Sequence, residues 1–347
     1  MAGVGGSREP FSFPPQQAGE PSTRNWYQEL LDHPNCQNNT IKIQEAYEQF
    51  RTASLTRTIA SCLPIQENGL GKLTADEKQL PAQSITPDAA LIRYLRLQKD
   101  LGGNIIGHRE TEELSKQNVN CLVIWARPDI KTLDMLRKIQ NRLSTLVGPD
   151  LHLIPPADIH LSVIELSHRH SVPHLRSVYD KVGETELKRL LDVPGARYHA
   201  DGSTACLVKP MIMFDKVGVA VGFVPAEAEY THHHLRNQLH TMALATGVSI
   251  DTCYTAPLAH VTVGRFVGNA FFEASDQGGA IETKRNRIEE WIELIRHINK
   301  DLQREYWGDL SWVVGGEKGL EVQLGYVKFG RGTDQADLVG DAFEARA

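Results

Sequence analysis

The sequence has few cysteines and none of the spacings that mark a cysteine framework. The five that it contains are scattered and odd in number, and no two form a C-x-x-C pair: Cys36, Cys62, Cys121, Cys206 and Cys253. This usage argues against a zinc knuckle and against a disulfide scaffold, and it is typical of a reducing compartment. We therefore expect a cytoplasmic protein, with the nucleus as the alternative.

Long apolar runs and an excess of positive charge are also missing. No stretch approaches the roughly 20 apolar residues that a membrane span needs, and no signal-peptide pattern opens the chain. The net charge of −6 and the pI of about 6.2 indicate no overall excess of positive charge with which to bind a long polyanion. The sequence therefore predicts neither a membrane nor duplex DNA as a partner, and it favours a small or short substrate.

Common catalytic signatures are absent as well. The glycine pairs at 102–103, 278–279 and 315–316 belong neither to a G-x-G-x-x-G fingerprint nor to a P-loop. No G-x-S-x-G elbow is present. These absences argue against a Rossmann dinucleotide site, a P-loop NTPase and an α/β-hydrolase.

What the sequence does contain is a repeated triplet of a histidine, any residue and a hydroxyl residue. The first copy is His160-Leu161-Ser162, and the second, 100 positions later, is His260-Val261-Thr262. None of the other twelve histidines has Ser or Thr two residues on, and both triplets lie in apolar, strand-like runs. Because alternate residues of a strand share a face, we expect each histidine to point with its hydroxyl, and the two pairs to converge on one cleft.

The same order of elements precedes each triplet, namely strand, helix and motif strand. Hydrophobic periodicity predicts a strand at 119–126 and a helix at 131–146 before the first copy. Before the second copy it predicts hairpin strands at 205–214 and 217–224 and a helix at 226–246. The remaining predicted elements are a helix at 173–191, a loop at 271–279, an amphipathic helix around 288–302, and strands at 310–314 and 320–329.

The paired triplets and the repeated element order resemble the two-histidine (2H) phosphoesterases, also called the RNA ligase/cyclic nucleotide phosphodiesterase-like superfamily. The resemblance covers residues 119–328. It implies an α+β fold with two pseudo-symmetric lobes of antiparallel sheet, helices packed outside, and a central cleft that carries both triplets. The corresponding domain is expected to span 118–331.

The resemblance also implies the chemistry. It carries over His160 and His260 as catalytic residues, and Ser162 and Thr262 as hydrogen-bond donors to a phosphate. A neutral imidazole can take a proton and a charged one can give a proton, since the usual histidine pKa is near 6.5. The implied reaction is metal-independent hydrolysis of a 2′,3′-cyclic nucleotide or of a short RNA-end phosphodiester, without a cofactor, and either histidine could be the base. The alternative is a 2H-fold binding module without turnover, or one recruited to a non-nucleotide substrate.

Three residues near the second triplet are candidate contacts to a base or phosphate: Tyr254, Arg265 and Phe266. In a regular strand Arg265 would point away from His260. Among the other histidines, His168 and His170 could form a ligand pair. No Asp or Cys stands at a recognisable ligand spacing beside them, so we predict no metal site.

The termini and the first hundred residues differ in composition from the motif region. Residues 1–24 are rich in Gly and Pro, which predicts a disordered tail, and 332–347 are predicted to be flexible. Residues 25–117 are predicted to form a helical extension, with helices starting near Asn25, Ile41 and Pro87. We expect this extension to pack on the catalytic core or to cover its mouth.

Overall fold

The computed structural model describes residues 22–63, 85–100, 116–251, 257–273, 280–326 and 338–343. These residues form a mixture of helices and antiparallel strands, so the predicted α+β class is confirmed. The helices are α1 (Trp26–Asp32), α2 (Thr40–Cys62), α3 (Ala89–Asp100), α4 (Ile130–Val147), α5 (Val172–Val182), α6 (Glu184–Leu191), α7 (Val193–Asp201), α8 (His232–Ala245), α9 (Ala270–Glu273) and α10 (Ala280–Tyr306). The strands are β1 (Asn120–Ala126), β2 (Leu151–Leu153), β3 (Leu161–His170), β4 (Cys206–Phe214), β5 (Gly218–Pro225), β6 (Ala259–Phe266), β7 (Trp312–Val313) and β8 (Leu320–Gly325).

The strands join in one sheet, and the two motif strands lie next to each other in it. The strand order is β7-β4-β5-β6-β3-β1-β8, and the short strand β2 pairs with β6. β3 and β6 run antiparallel, with Leu161 of the first triplet opposite Val261 of the second. Segments 100 residues apart in the chain are thus neighbours in the sheet.

Each motif strand carries a β-bulge directly after its triplet. β3 has one residue more than its neighbour β1 at Val163, and β6 has one more than β5 at Val263. A buried helix side chain binds each bulged carbonyl: Nε of Arg236 donates to Val163 O at 2.8 Å, and Nε2 of Gln140 donates to Val263 O at 2.8 Å. Because an extra residue reverses the alternation of side chains, the residues after each bulge change face.

The two faces of the sheet have different neighbours. On β1, the main hydrophobic core takes in Leu122, Ile124 and Ala126. The alternate residues, Cys121, Val123 and Trp125, form a separate cluster on the opposite face. We call this opposite side the cleft face, because Trp125 contacts the first motif histidine there.

The first two helices are part of the same packed structure as the sheet. Tyr27, Ile43 and Tyr47 belong to the main core, and Arg51 of α2 donates to the carbonyl of Gly222 in β5 at 3.1 Å. The domain boundary at 117–118 stays a prediction. Of the described helices, none is long and apolar enough to cross a bilayer.

Several predicted boundaries were wrong. The helix predicted over 173–191 is two helices, α5 and α6, because the chain turns at Gly183, where φ is +82°. The helix predicted from 226 begins at His232, since the hydroxyl of Thr231 caps it by accepting from backbone N–H groups. Helix α7 was not predicted. The predicted tail 1–24 and the end of the strand predicted over 320–329 fall largely outside the described residues, as does most of 332–347.

Candidate functional site

The antiparallel pairing of β3 with β6 brings the four motif side chains together. With Leu161 opposite Val261, His160 comes beside Thr262 and Ser162 beside His260. The two imidazoles are close enough that a charge on His260 lowers the pKa of His160. The register therefore brings the four predicted site residues next to one another across β3 and β6.

His160 is fixed by a backbone hydrogen bond and by a ring stack. Its Nδ1 lies 2.7 Å from the carbonyl oxygen of Asp158. A carbonyl can only accept, so Nδ1 carries the proton and Nε2 presents a lone pair. The imidazole lies parallel to the indole of Trp125, with ring centroids 3.5 Å apart and planes 9° apart.

Arg127 braces the segment that leads into His160. Its guanidinium donates to the carbonyls of Ala157 at 2.7 Å and Ile159 at 3.2 Å, and it forms a buried ion pair with Glu321 of β8. It also lies 5.1 Å from the Trp125 ring. The loop before the first triplet is therefore tied to β8.

His260 borders a cavity of about 180 Å³ on the β5 side of the site. Thr262, Arg265, Ala220, Met213 and Ser54 also line it. Facing positions on β5 carry small residues: Gly218 lies opposite Arg265, Ala220 opposite Thr262, and Gly222 opposite His260. A Cβ on Gly222 would stand 2.8 Å from the sulfur of Met213, so a larger residue would not fit without a shift. The small side chains leave the space that the cavity occupies.

The three other predicted contacts have different outcomes. The expectation that Arg265 points away from His260 was wrong, because the extra residue Val263 returns Arg265 to the side of His260 and Thr262. Its Nη1 donates to Oδ2 of Asp88 at 2.9 Å. Phe266 has none of its surface exposed and packs edge-on against Phe272 and Trp291, so it lies in the core and not in the cleft. Tyr254 lies outside the described residues.

Both motif histidines are held in the neutral form. Burial lowers the pKa of His160 to about 3, although its hydrogen bond to Asp158 opposes the shift. Burial likewise lowers the pKa of His260 to about 4, assisted by the positive charges of Arg236 and Arg265. Asp215 and Glu165 act in the opposite direction on His260. Either histidine therefore needs a negatively charged ligand nearby before it can hold a proton at pH 7.

Arg236 is a positioning residue that sequence reasoning missed. It is 1% exposed, and besides Val163 O it binds the carbonyl of Leu258, just before β6, at 2.8 Å. One guanidinium thus ties both motif strands to α8. Its sequence signal was an arginine on the apolar face of a helix, beside the three histidines 232–234.

Those helix histidines serve the core. His233 receives a hydrogen bond from the hydroxyl of Tyr47 at 2.9 Å and donates to the carbonyl of Tyr27 at 2.8 Å. His232 and His240 are almost fully buried and have no hydrogen-bond partner among the described residues. His233, through Tyr27 and Tyr47, and His240, through the ring of Tyr27, therefore help to attach α1 and α2 to α8.

Comparison with protein-family models and with curated protein sequences finds no significant match. The likeness to the 2H phosphoesterases therefore stays a prediction from the sequence.

Proposed function

We propose that the protein is a metal-independent phosphodiester hydrolase that acts on a 2′,3′-cyclic nucleotide or on a short RNA end. The observation that carries the proposal is the pairing of Leu161 with Val261, which sets two His-x-Ser/Thr triplets side by side in opposite directions. Such an arrangement offers an imidazole on each side of one phosphate. In this proposal the strands β7-β4-β5-β6 and β3-β1-β8 are the two lobes.

We assign the base to His160 and the acid to His260. The lone pair on Nε2 of His160 takes a proton from water, and the water oxygen forms a bond to phosphorus. The bond from phosphorus to one ribose oxygen breaks, and protonated His260 gives its proton to that oxygen. Water is thereby added across one P–O bond; His160 ends the step protonated and His260 neutral, and His160 returns its proton to the solvent when the product leaves.

The lowered pKa values give the substrate a part in the mechanism. In the free protein both imidazoles are neutral at pH 7, so the acid must be charged when the substrate binds. A phosphodiester anion in the cavity beside His260 raises the pKa of that histidine, since opposite charge favours the imidazolium. His160 has the lower pKa and, with Nδ1 bound to Asp158, presents the lone pair of Nε2, so it stays neutral when the substrate binds and is available as the base.

Three groups are placed to stabilise charge on the phosphate. The hydroxyls of Ser162 and Thr262 would donate to its non-bridging oxygens, and the Arg265 guanidinium borders the same cavity as Thr262. Asp88 already offsets part of the Arg265 charge at 2.9 Å. The site can therefore bind a singly charged diester without a large excess of positive charge.

The test is hydrolysis of a panel of 2′,3′-cyclic nucleotides and a short RNA with a cyclic phosphate end, all with chelator present. We expect turnover by the parent protein, and a loss of at least about a hundredfold in His160→Ala and in His260→Ala. His199→Ala makes the same change at an exposed histidine and should retain full activity. Saturable binding without product would support the binding-module alternative, and an inert parent would overturn the proposed reaction.

A further inference from the structure

Three chemically different metal ligands meet at the end of the cleft face away from His160. They are Cys121 at the start of β1, and Glu165 and His168 near the end of β3. Their donor atoms all lie within 4.8 Å of one another. No sequence pattern joins them, because Cys121 is distant in the chain and Glu165 and His168 are three residues apart.

Bulges in β3 create the cluster. In a regular strand, residues three apart point to opposite faces. Here β3 has extra residues relative to β1 at Val163, Leu166 and Arg169, so Ser162, Glu165 and His168 lie opposite Trp125, Val123 and Cys121 in turn. Since those three β1 residues share the cleft face, so do their partners. The prediction of no metal site relied on the lack of a Cys or Asp at ligand spacing beside His168 in the sequence. The fold brings Cys121 next to His168.

The atoms converge on one nitrogen. Nδ1 of His168 lies 2.8 Å from Oε1 of Glu165 and 3.3 Å from Sγ of Cys121. Ordinary Zn–S, Zn–N and Zn–O bond lengths in a tetrahedral site put such donors about 3.3–3.6 Å apart. To hold the ion, Nδ1 of His168 would have to move about half an ångström from Oε1 of Glu165 and a few tenths of an ångström from Sγ of Cys121.

We propose that Cys121, Glu165 and His168 bind a zinc ion, with water as the fourth ligand. A thiolate, an imidazole and a carboxylate form a donor set that zinc accepts, and the two anionic ligands match its charge. Cys121 and Glu165 are 8% and 4% exposed, and the His168 side chain is 13% exposed, which leaves water a route to the ion.

Two backbone N–H groups help to hold the ligands in place. The backbone N–H of Arg169 donates to Sγ of Cys121. The carboxylate of Asp251 accepts from the backbone N–H of His168 and so fixes the strand that carries the imidazole.

The zinc ligands do not include the proposed catalytic residues, although the charge of Glu165 acts on His260. Cys121 is four residues from Trp125 along β1, about 13 Å for an extended strand, and Trp125 is the residue that stacks on His160. The ion would join the ends of β1 and β3 and would not contact a phosphate at His160. Its existence does not depend on the proposed hydrolysis.

Cobalt titration of the chelator-treated, full-length protein tests the proposal. A tetrahedral thiolate site gives sulfur-to-cobalt charge-transfer absorption, which we expect to saturate at one equivalent and to be displaced by zinc. Cys121→Ser should abolish the absorption, and Glu165→Gln should keep it but weaken binding by at least about tenfold. Cys206→Ser makes the same change at a cysteine outside the cluster and should behave like the parent.

The cobalt titration distinguishes a zinc site from a hydrogen-bonded network of the same three side chains. If the parent shows no charge-transfer absorption, or if Cys121→Ser retains it, the proposal is overturned and the cluster is a hydrogen-bonded network. Glu165→Gln guards against a folding failure in the cysteine variant, because its band must be present but weaker; unchanged affinity there would also count against the site. None of these readouts uses phosphodiester turnover, so the two proposals stand or fall separately.

Discussion

The two halves of the sheet carry the same triplet and the same bulge, but they differ in the residue that faces the motif hydroxyl. Ser162 lies opposite Trp125, whereas Thr262 lies opposite Ala220. The indole fills the space above β1 and stacks on His160. The methyl group of Ala220 leaves the corresponding space above β5 open, and the cavity lies there. One half therefore holds its histidine rigidly, and the other leaves room for a ligand.

The side chains that bind the two bulged carbonyls also differ between the two halves. The carbonyl of Val163 is bound by the charged guanidinium of Arg236, and the carbonyl of Val263 by the neutral amide of Gln140. The backbone pattern is repeated while the chemistry around it is not. A repeated backbone with unequal surroundings would allow two similar histidines to take the different roles proposed for them.

Removing the indole should have the largest effect. Trp125→Ala deletes a side chain with no exposed surface and is expected to lower the free energy of unfolding by about 3–5 kcal/mol. The same change lets water reach His160, so the pKa of His160 should rise from about 3 toward its usual value. Denaturant unfolding measures the first effect, and NMR titration of the His160 ring measures the second.

Trp312→Ala is the matched control for that experiment. Trp312 is also fully buried, but it packs on Phe223 in the main core. It should cost similar stability and leave the pKa of His160 unchanged. If both variants shift that pKa equally, the stack on Trp125 is not what holds His160 neutral.

Filling the open half should have a smaller effect, confined to the ligand. Ala220→Leu places a branched side chain on the cavity floor opposite Thr262. We expect kcat/KM for a cyclic nucleotide to fall by at least about tenfold, mainly through KM, because the substrate loses its space. Ala220→Ser keeps the volume and should retain most of the activity. An unchanged KM in Ala220→Leu would mean that the substrate does not enter beside β5.

Sequence patterns predicted most helices and strands and the motif pair, but not which side of the sheet the residues after a bulge face. Period-two alternation predicted that His160 points with Ser162 and His260 with Thr262, and helix and strand alternation predicted the α+β class, which the structure confirms. The same rule misplaced Arg265 and concealed the link between Glu165 and His168, because a bulge leaves no periodic signal in one strand. The bulges at Val163 and Val263 are bound by Arg236 and Gln140, which are distant in the chain. What could have been seen is the pair of small residues Gly218 and Ala220 at alternate positions, which line the cavity.

The two histidines should also be distinguishable by their acid titration. The unfolded chain protonates histidine near pH 6.5, while the folded values are about 3 for His160 and about 4 for His260. Between those limits the unfolded state binds more protons, so stability is full above pH 6.5 and declines as pH falls. Each such histidine should lower the free energy of unfolding by about 1 kcal/mol between pH 6.5 and 5.5.

Single substitutions separate the contributions of the two halves. His160→Gln and His260→Gln should each reduce the loss of stability between pH 6.5 and 5.5 by about 1 kcal/mol, since either change removes one proton-binding group.

In NMR spectra of the free parent protein, both rings should stay neutral down to pH 5, and His260 should then titrate before His160. A nucleoside monophosphate should raise the pKa of His260 more than that of His160, because the cavity that would receive the phosphate borders His260. A ring that is half protonated above pH 6 in the free protein would contradict the burial of that half, and equal shifts on ligand binding would remove the distinction between base and acid.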